Sequence, residues 1–257
     1  MGRLGELDTN TEALTNRINA HAAFGKRDLE EWVFAQLDVR PGHSILELGC
    51  GTGKQTIPLA RLVGNHGGIK AVDLADDSIS ILRQKAETDG LIARIDLVNS
   101  SLDDTETYLH EADTFDRAVA CYSIYYANEP AKLFAAVHSK LNMDGRFFFC
   151  GPARMNNSEL KALHQRVSDK RLPITATSFM EDEGLKLAKE CFSRVIVTSF
   201  INPLSFSSAE ALYDYWRSHN LYDPGSDSRF KDAANSHFID HDVFVTNKRV
   251  CGALAIK

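Results

Sequence analysis

The run Ile45-Leu46-Glu47-Leu48-Gly49-Cys50-Gly51-Thr52-Gly53-Lys54 constrains this chain more than any other segment. An apolar stretch that runs into glycines at G-x-G-x-G spacing reads as a strand entering a sharp turn, where the missing Cβ lets backbone approach a nucleotide-like ligand. Beyond the turn, Ile57, Leu59, Ala60 and Leu62 fit a helix over residues 52–62, whose free N-terminal N–H groups face the turn. A turn without a ligand also favours glycine, so the neighbouring residues decide. The loop Gly64-Asn65-His66-Gly67-Gly68 is followed by Ile69-Lys70-Ala71-Val72-Asp73, a short apolar run whose acid lies 24 positions after Gly49. A carboxylate at the end of a second parallel strand can accept from both hydroxyls of a ribose. The alternative is that Asp73 merely caps the helix that follows.

Two cofactor classes share this strand, turn and helix, and glycine spacing separates them. The dinucleotide fingerprint is G-x-G-x-x-G, whereas here Lys54 and Gln55 stand where its third glycine could fall. Further on, Phe115-Asp116 opens an apolar run to Tyr122, and a polar segment ends in Asn128-Glu129-Pro130. A helix over residues 131–141 follows, with Leu133, Phe134, Val137 and Leu141 on one face, then a turn at Asn142-Met143-Asp144-Gly145 and a strand over 146–150. In these motifs and their order the chain resembles the class I S-adenosylmethionine-dependent methyltransferases, in the small-molecule group that includes the ubiquinone/menaquinone-biosynthesis-like enzymes (methyltransferase types 11 and 25). The resemblance covers roughly residues 30 to 150 and is looser beyond.

The resemblance implies an α/β fold: a Rossmann-like, seven-stranded, mostly parallel sheet with helices on both faces, an N-terminal helical lid and a cap inserted before the last strand. It also implies a division of labour. Glu47 steadies the glycine turn and the donor's amino group; Gly49, Cys50, Gly51 and Gly53 bring backbone to the donor; Asp73 binds the ribose. Leu74 and Leu102 sandwich adenine, and Cys121 and Tyr122 meet the methionine portion. Where many relatives carry an acid after the third strand, this chain reads Asn99-Ser100-Ser101-Leu102-Asp103, so Ser101 or Asn99 contacts the adenine amine, or Asp103 reaches back. Small-molecule relatives often show two histidines where Tyr125 and Tyr126 stand here. The absence of an Asn-Pro-Pro-Tyr or Asp-Pro-Pro-Tyr motif after the fourth strand disfavours nucleic-acid amino-methylation.

Composition narrows the class further. The 257 residues carry a formal charge of −6, which offers no broad attraction to phosphate backbones, so no nucleic-acid partner is expected. Five cysteines, Cys50, Cys121, Cys150, Cys191 and Cys251, lack C-x-x-C spacing and suit neither a disulfide framework nor a zinc site; no metal is expected. No stretch approaches a membrane span in length, and the N-terminal residues lack a basic patch followed by an apolar run, which makes a cytoplasmic protein without a membrane partner the expectation.

One methyltransferase domain over 1–257 is expected, with a helical lid at 1–40, a cofactor-binding core at 41–152 and a C-terminal part at 153–257 whose cap spans about 203–241. Residues 11–38 read as helical with a break near Phe24-Gly25-Lys26, either a lid carrying His21, Phe24 and Gly25 over the donor or a surface helix pair. Helices at 156–170 and 178–191, joined through Pro173, precede a strand at 192–200. Two strand-like runs, 242–246 and 249–256, flank an Asn247-Lys248 turn. The cap carries a helix from Ser208 to Trp216; its aromatics Tyr213, Trp216 and Tyr222 line an acceptor pocket or, as the better reading, pack as core.

Transfer of a sulfonium-bound methyl asks chiefly for positioning and exclusion of water. An amine acceptor needs only its lone pair, whereas a hydroxyl needs a base. The sequence leaves the catalytic group unassigned, with Tyr122, Tyr125, Tyr126 and His21 as candidates and Glu129, His219, His237 and His241 behind them. The expected function is methyl transfer from S-adenosylmethionine to an O, N or C nucleophile of a small molecule, releasing S-adenosylhomocysteine. A non-catalytic S-adenosylmethionine-binding module and a nucleotide-dependent oxidoreductase remain as alternatives.

Overall fold

A computed structural model describes residues 11–169, 175–219 and 221–257. The chain begins with α1 (Thr11–Phe24) and α2 (Leu29–Leu37), then alternates through β1 (Ser44–Leu48), α3 (Thr56–Val63), β2 (Gly68–Asp73), α4 (Asp76–Thr88), β3 (Ile95–Asn99), α5 (Thr105–Tyr108), β4 (Phe115–Cys121), α6 (Pro130–Lys140) and β5 (Leu141–Pro152). Helices α7 (Ser158–Val167), α8 (Thr175–Glu181) and α9 (Glu183–Cys191) lead to β6 (Arg194–Phe206), and α10 (Ala209–Arg217) and α11 (Asp227–Asp240) lead to β7 (Phe244–Ile256). The seven strands form one sheet in the order β3-β2-β1-β4-β5-β7-β6, parallel except for β7, which runs antiparallel to β5 and β6. This is the expected architecture.

The central strands are apolar because both faces are covered. With a period of two, Leu46 and Leu48 of β1 face the core shared with α6, α8 and α9, while Ile45 faces the core shared with α2, α3 and α4. Chain order places β1 beside β4, with β2 and β3 built outward on one side and β5 on the other. Connections therefore diverge at the carboxyl ends of β1 and β4, leaving a crevice at the point where open α/β sheets take ligands.

Several expectations need correction. Helix α3 starts at Thr56 rather than residue 52, because Gly51 and Gly53 take positive φ of 51° and 85° that an α-helix cannot contain. The segment 142–145 is not a turn outside the strand: β5 begins at Leu141, opposite Phe115, and the extra residues form an irregularity within it, with Asp144 at φ 61°. The single helix expected at 178–191 is two, α8 and α9, broken at Asp182; α7 is shorter than 156–170, and Pro173 and residue 170 lie outside the described residues, as do residues 1–10 of the lid. Strand β6 continues to Phe206, so residues 203–206 belong to the sheet and the cap is residues 207–243.

The largest correction concerns Asn247 and Lys248, which lie inside one continuous 13-residue strand, not in a turn. Strand β7 outruns β5, whose pairing ends at Pro152 opposite Val250, so its outer edge needs other partners. The segment entering α7 supplies them: Asn157 N donates to Asn247 O at 2.9 Å, Asn247 N donates to Glu159 Oε2 at 3.1 Å, and Arg249 N donates to Asn156 Oδ1 at 2.9 Å. The protruding ends of β6 and β7 carry a third core, in which Leu204, Phe206 and Phe244 pack with Leu212, Trp216 and Phe230 of the cap helices.

Candidate active site

A cleft of about 380 Å3 opens over the carboxyl ends of β1, β2 and β4. Its floor is the glycine loop. Gly49 has φ 75°, and a Cβ there would strike the Ser123 side chain, whose hydroxyl donates to Leu48 O. Asp73, ending β2, latches the loop: its Oδ2 accepts from Gly51 N at 2.7 Å and its Oδ1 from Ala75 N at 2.9 Å. Ala75, not Asp73, is the N-cap residue of α4, and that helix has no side-chain cap, so the capping alternative for Asp73 does not hold.

Nine of the expected donor contacts line this one cleft: Gly49, Cys50, Gly51, Asp73, Leu74, Ser101, Leu102, Cys121 and Tyr122. Leu74, an apolar side chain 52% exposed, and half-buried Leu102 both line the cleft. Glu47 and Gly53 are not part of the wall. Gly53 packs toward Leu82 of α4, and Glu47 is buried in β1 with Oε2 unpartnered. Burial raises the Glu47 carboxyl to about 8; the nearby Asp73 charge adds to this and the Thr56 hydroxyl opposes it. Of the three candidates near the adenine position, Asn99 instead donates to Asp73 O and Leu74 O, and Asp103 is engaged by Asn128 N and Glu129 N. Ser101 and Asp103 both line the cleft, with Asp103 N donating to Ser101 Oγ at 3.2 Å.

Helix α1 contributes Arg17, Ile18 and His21 to the cleft wall. Phe24 packs on Phe206 at 4.7 Å between ring centroids instead, and Gly25 bridges to Leu204. The break between α1 and α2 is tied down by buried Asn202 of β6: its Oδ1 accepts from Lys26 N at 2.8 Å and Arg27 N at 3.0 Å, and its Nδ2 donates to Arg27 O at 2.9 Å.

The catalytic candidates divide. Tyr122, Tyr125, Tyr126, His21 and His219 line the cleft. Glu129 is outside it, paired with Lys132 at 2.7 Å, and His237 and His241 stack on each other on the exposed end of α11. Trp216 is cap core, stacked on Phe230 at 4.0 Å, and the Tyr213 and Tyr222 hydroxyls donate to Asp227. Tyr215, next to Trp216 in α10, is the cap aromatic that reaches the cleft.

Sequence reasoning missed Lys248. Strand alternation puts it on the face of Thr246 and Val250, where it is 7% exposed and lines the cleft. Its Nζ lies 3.0 Å from His21 Nδ1 and 5.0 Å from the Tyr122 ring centroid. His21 Nε2 is in turn 3.2 Å from the Tyr215 hydroxyl, which accepts from Asn157 Nδ2 at 3.1 Å. Burial pulls Lys248 down to about 7, helped by the Lys54 cation and opposed by the Glu30 carboxylate. Burial also holds His21 well below its ordinary value, with the Lys248 charge contributing. The signal in the sequence was the alternation Phe244, Thr246, Lys248, Val250, hidden by reading Asn247-Lys248 as a turn. The cleft cysteines are not thiolates: the Cys150 contact and then burial raise Cys121, and burial raises Cys50. All five cysteines are free, no metal-ligating cluster occurs among the described residues, and no described helix is long and apolar enough to cross a membrane.

Residues 45–145 match the family model described as a methyltransferase domain. The ubiquinone/menaquinone biosynthesis C-methyltransferase UbiE of Marinomonas sp. (strain MWYL1) is 24% identical over 139 residues, 54% of each chain. The chain spans about half the length, or less, of the curated relatives it matches. Among solved structures, the YcgJ protein from Bacillus subtilis superposes with a TM-score of 0.59 at 13% identity, covering 89% of this chain and 97% of that one. The [4+2]-cyclase SpnF superposes with a TM-score of 0.57 at 16% identity, covering 94% and 93%. At these identities the superpositions establish the fold, which a cyclase shares.

Proposed function

We propose, for a chain whose residues 45–145 match a methyltransferase-domain model and whose sheet has a Rossmann-like order, that the cleft binds S-adenosylmethionine and that the protein transfers its methyl group to a small molecule. The observation that carries this reading is the convergence of the glycine loop, the Asp73 carboxylate and the Leu74–Leu102 pair on one cleft. Those residues fit the donor: the loop leaves no room for a Cβ at Gly49, a carboxylate ends β2, and an exposed leucine and a half-buried one line the cleft. When bound, S-adenosylmethionine supplies a methyl group already activated by positive sulfur, and S-adenosylhomocysteine is the product.

In this reading Asp73 accepts from the ribose hydroxyls with the lone pairs that Gly51 N and Ala75 N leave open. Leu74 and Leu102 flank the adenine and Ser101 meets its amine. The backbone of Gly49 to Gly51, with Cys121 and Tyr122, receives the methionine portion. Glu47 acts from beneath, keeping the glycine loop seated, and not as a wall of the pocket. Helix α1 closes over the site and excludes water, which strengthens every polar contact inside. The acceptor enters on the side of Tyr215, Asn157 and Lys248, toward the cap, and a cytoplasmic small molecule suits the cleft's size.

Calorimetric titration with S-adenosylmethionine and S-adenosylhomocysteine, with reduced nicotinamide dinucleotide as control, tests this. Micromolar binding of the sulfur ligands alone, about −8 kcal/mol, is expected. Asp73→Ala should raise the dissociation constant at least about tenfold, as loss of a charge-assisted hydrogen bond requires. No binding of either sulfur ligand would sink the methyltransferase reading.

A further inference from the structure

Lys248 is a buried cation for which no carboxylate partner exists within salt-bridge distance among the described residues, in a cleft that also holds two unpartnered polar atoms. The Tyr122 hydroxyl and Asn157 Oδ1 are both buried, border the cleft and have no hydrogen-bond partner. A lysine buried without a counterion is destabilising unless it is neutral, and such groups cluster at functional sites. Lys248 stands over the ring of Tyr122, at the end of β4 where the crevice opens, and the surrounding wall is aromatic through Tyr122, Tyr215 and His219. We propose that Lys248 is the catalytic base of this cleft, and that the acceptor is an aryl or enolic hydroxyl whose proton Lys248 removes as the oxygen is methylated. The inference rests on the donor reading above.

The groups present account for each part of that assignment. His21, kept neutral by burial, accepts from Lys248 Nζ through Nδ1 and donates through Nε2 to the Tyr215 hydroxyl, so its tautomer is set and it positions the lysine. The lysine lone pair is then available to the acceptor. The Tyr122 hydroxyl donates to the acceptor oxygen and Asn157 Oδ1 accepts from a second O–H or N–H of the acceptor, which satisfies the two orphaned atoms. In the reaction the acceptor oxygen forms the new bond to the methyl carbon, the sulfur–carbon bond breaks with its electron pair going to sulfur, and the acceptor's proton ends on Nζ as an ammonium. An amine acceptor would need no such base. The charged and titratable groups facing Lys248 are His21 of α1, Glu30 of α2, Lys54 of the glycine loop, Cys121 and Tyr122 after β4, and Cys150 of β5. Only Lys54 among them raises the positive charge further, and it is paired with Glu30 at 2.8 Å.

Two measurements on the full chain test the assignment. The first follows the Cε–Hε resonance of Lys248 against pH in lysine-labelled protein, assigned by its absence from Lys248→Met. The expected midpoint is near 7, against about 10.4 for an ordinary lysine. The second adds 4-nitrophenol to protein saturated with S-adenosylhomocysteine, at a pH just below the phenol's own pKa, and reads the yellow phenolate. Wild type should take the probe up as phenolate and Lys248→Met should not, while the variant still binds S-adenosylmethionine in the calorimeter. A midpoint at the ordinary lysine value overturns the base even if phenolate is taken up, since Lys248 is then only an electrostatic anchor. Absence of phenolate in wild type overturns the hydroxyl acceptor. Failure of wild type to bind the sulfur ligands overturns the donor reading instead.

Discussion

Asp73 shows how much one side chain at the switch point carries. Its two oxygens already hold Gly51 N and Ala75 N, so it fastens the glycine loop before any ligand arrives, and Asp73→Ala loosens the cradle as well as removing the proposed ribose contact. That residue was legible because an acid closing a second strand has few other uses. Glu47, by contrast, was legible as a position and not as an environment. Nothing local says that its carboxyl is sealed inside the sheet with Oε2 unpartnered. Its value of about 8 against 4.5 means that the folded state holds a proton that the unfolded chain releases. The Glu47 contribution to stability is therefore fully present below pH 4.5 and is lost as pH rises toward 8, by up to about 1.4 kcal/mol per unit. Glu47→Gln should flatten the pH dependence of the unfolding midpoint across that window and raise the midpoint at pH 8. Denaturant melts at pH 5, 6.5 and 8 read the difference, and an unaltered slope would remove Glu47 as its source.

At the scale of elements, the lid is held by a side chain far away in sequence. Asn202 replaces the backbone hydrogen bonds lost where α1 ends and α2 begins, and Gly25 is tight because a Cβ there would collide with the Asn202 side chain and with His21 O. Asn202→Ala should cost roughly 2 kcal/mol of stability, given about 1 kcal/mol net per hydrogen bond and partial access of water to the freed groups. It should also speed amide exchange at Lys26 and Arg27 and weaken donor binding, because α1 lines the cleft. Unchanged exchange there would show that the lid is held by its apolar packing alone. The break in the helix was visible in Phe24-Gly25-Lys26, but its partner on β6 was not. The same holds for β7, whose outer edge is satisfied by the segment entering α7. A strand with an Asn-Lys pair reads locally as two strands and a turn until those distant partners are known.

For the molecule as a whole, the cleft draws its walls from the sheet, the lid and the cap, so a ligand that fills it ties together elements that otherwise meet through separate cores. Ligand binding to the folded state alone stabilises by RT ln(1 + [L]/Kd), about 2.7 kcal/mol at a hundredfold excess over Kd. S-adenosylhomocysteine at that excess should raise the thermal midpoint by several degrees, measured by scanning calorimetry, and by less in Asp73→Ala at the same concentration. The sequence by itself determined the alternation of strands and helices, the glycine loop, the acid that closes β2 and the two N-terminal helices, because each is written in spacing over a few neighbouring residues. Glu47 beneath the wall, Asn202 at the lid break and Lys248 against His21 were decided only by the tertiary structure. Each depends on which residues more than 50 positions away arrive at the same place, and local periodicity carries no record of that.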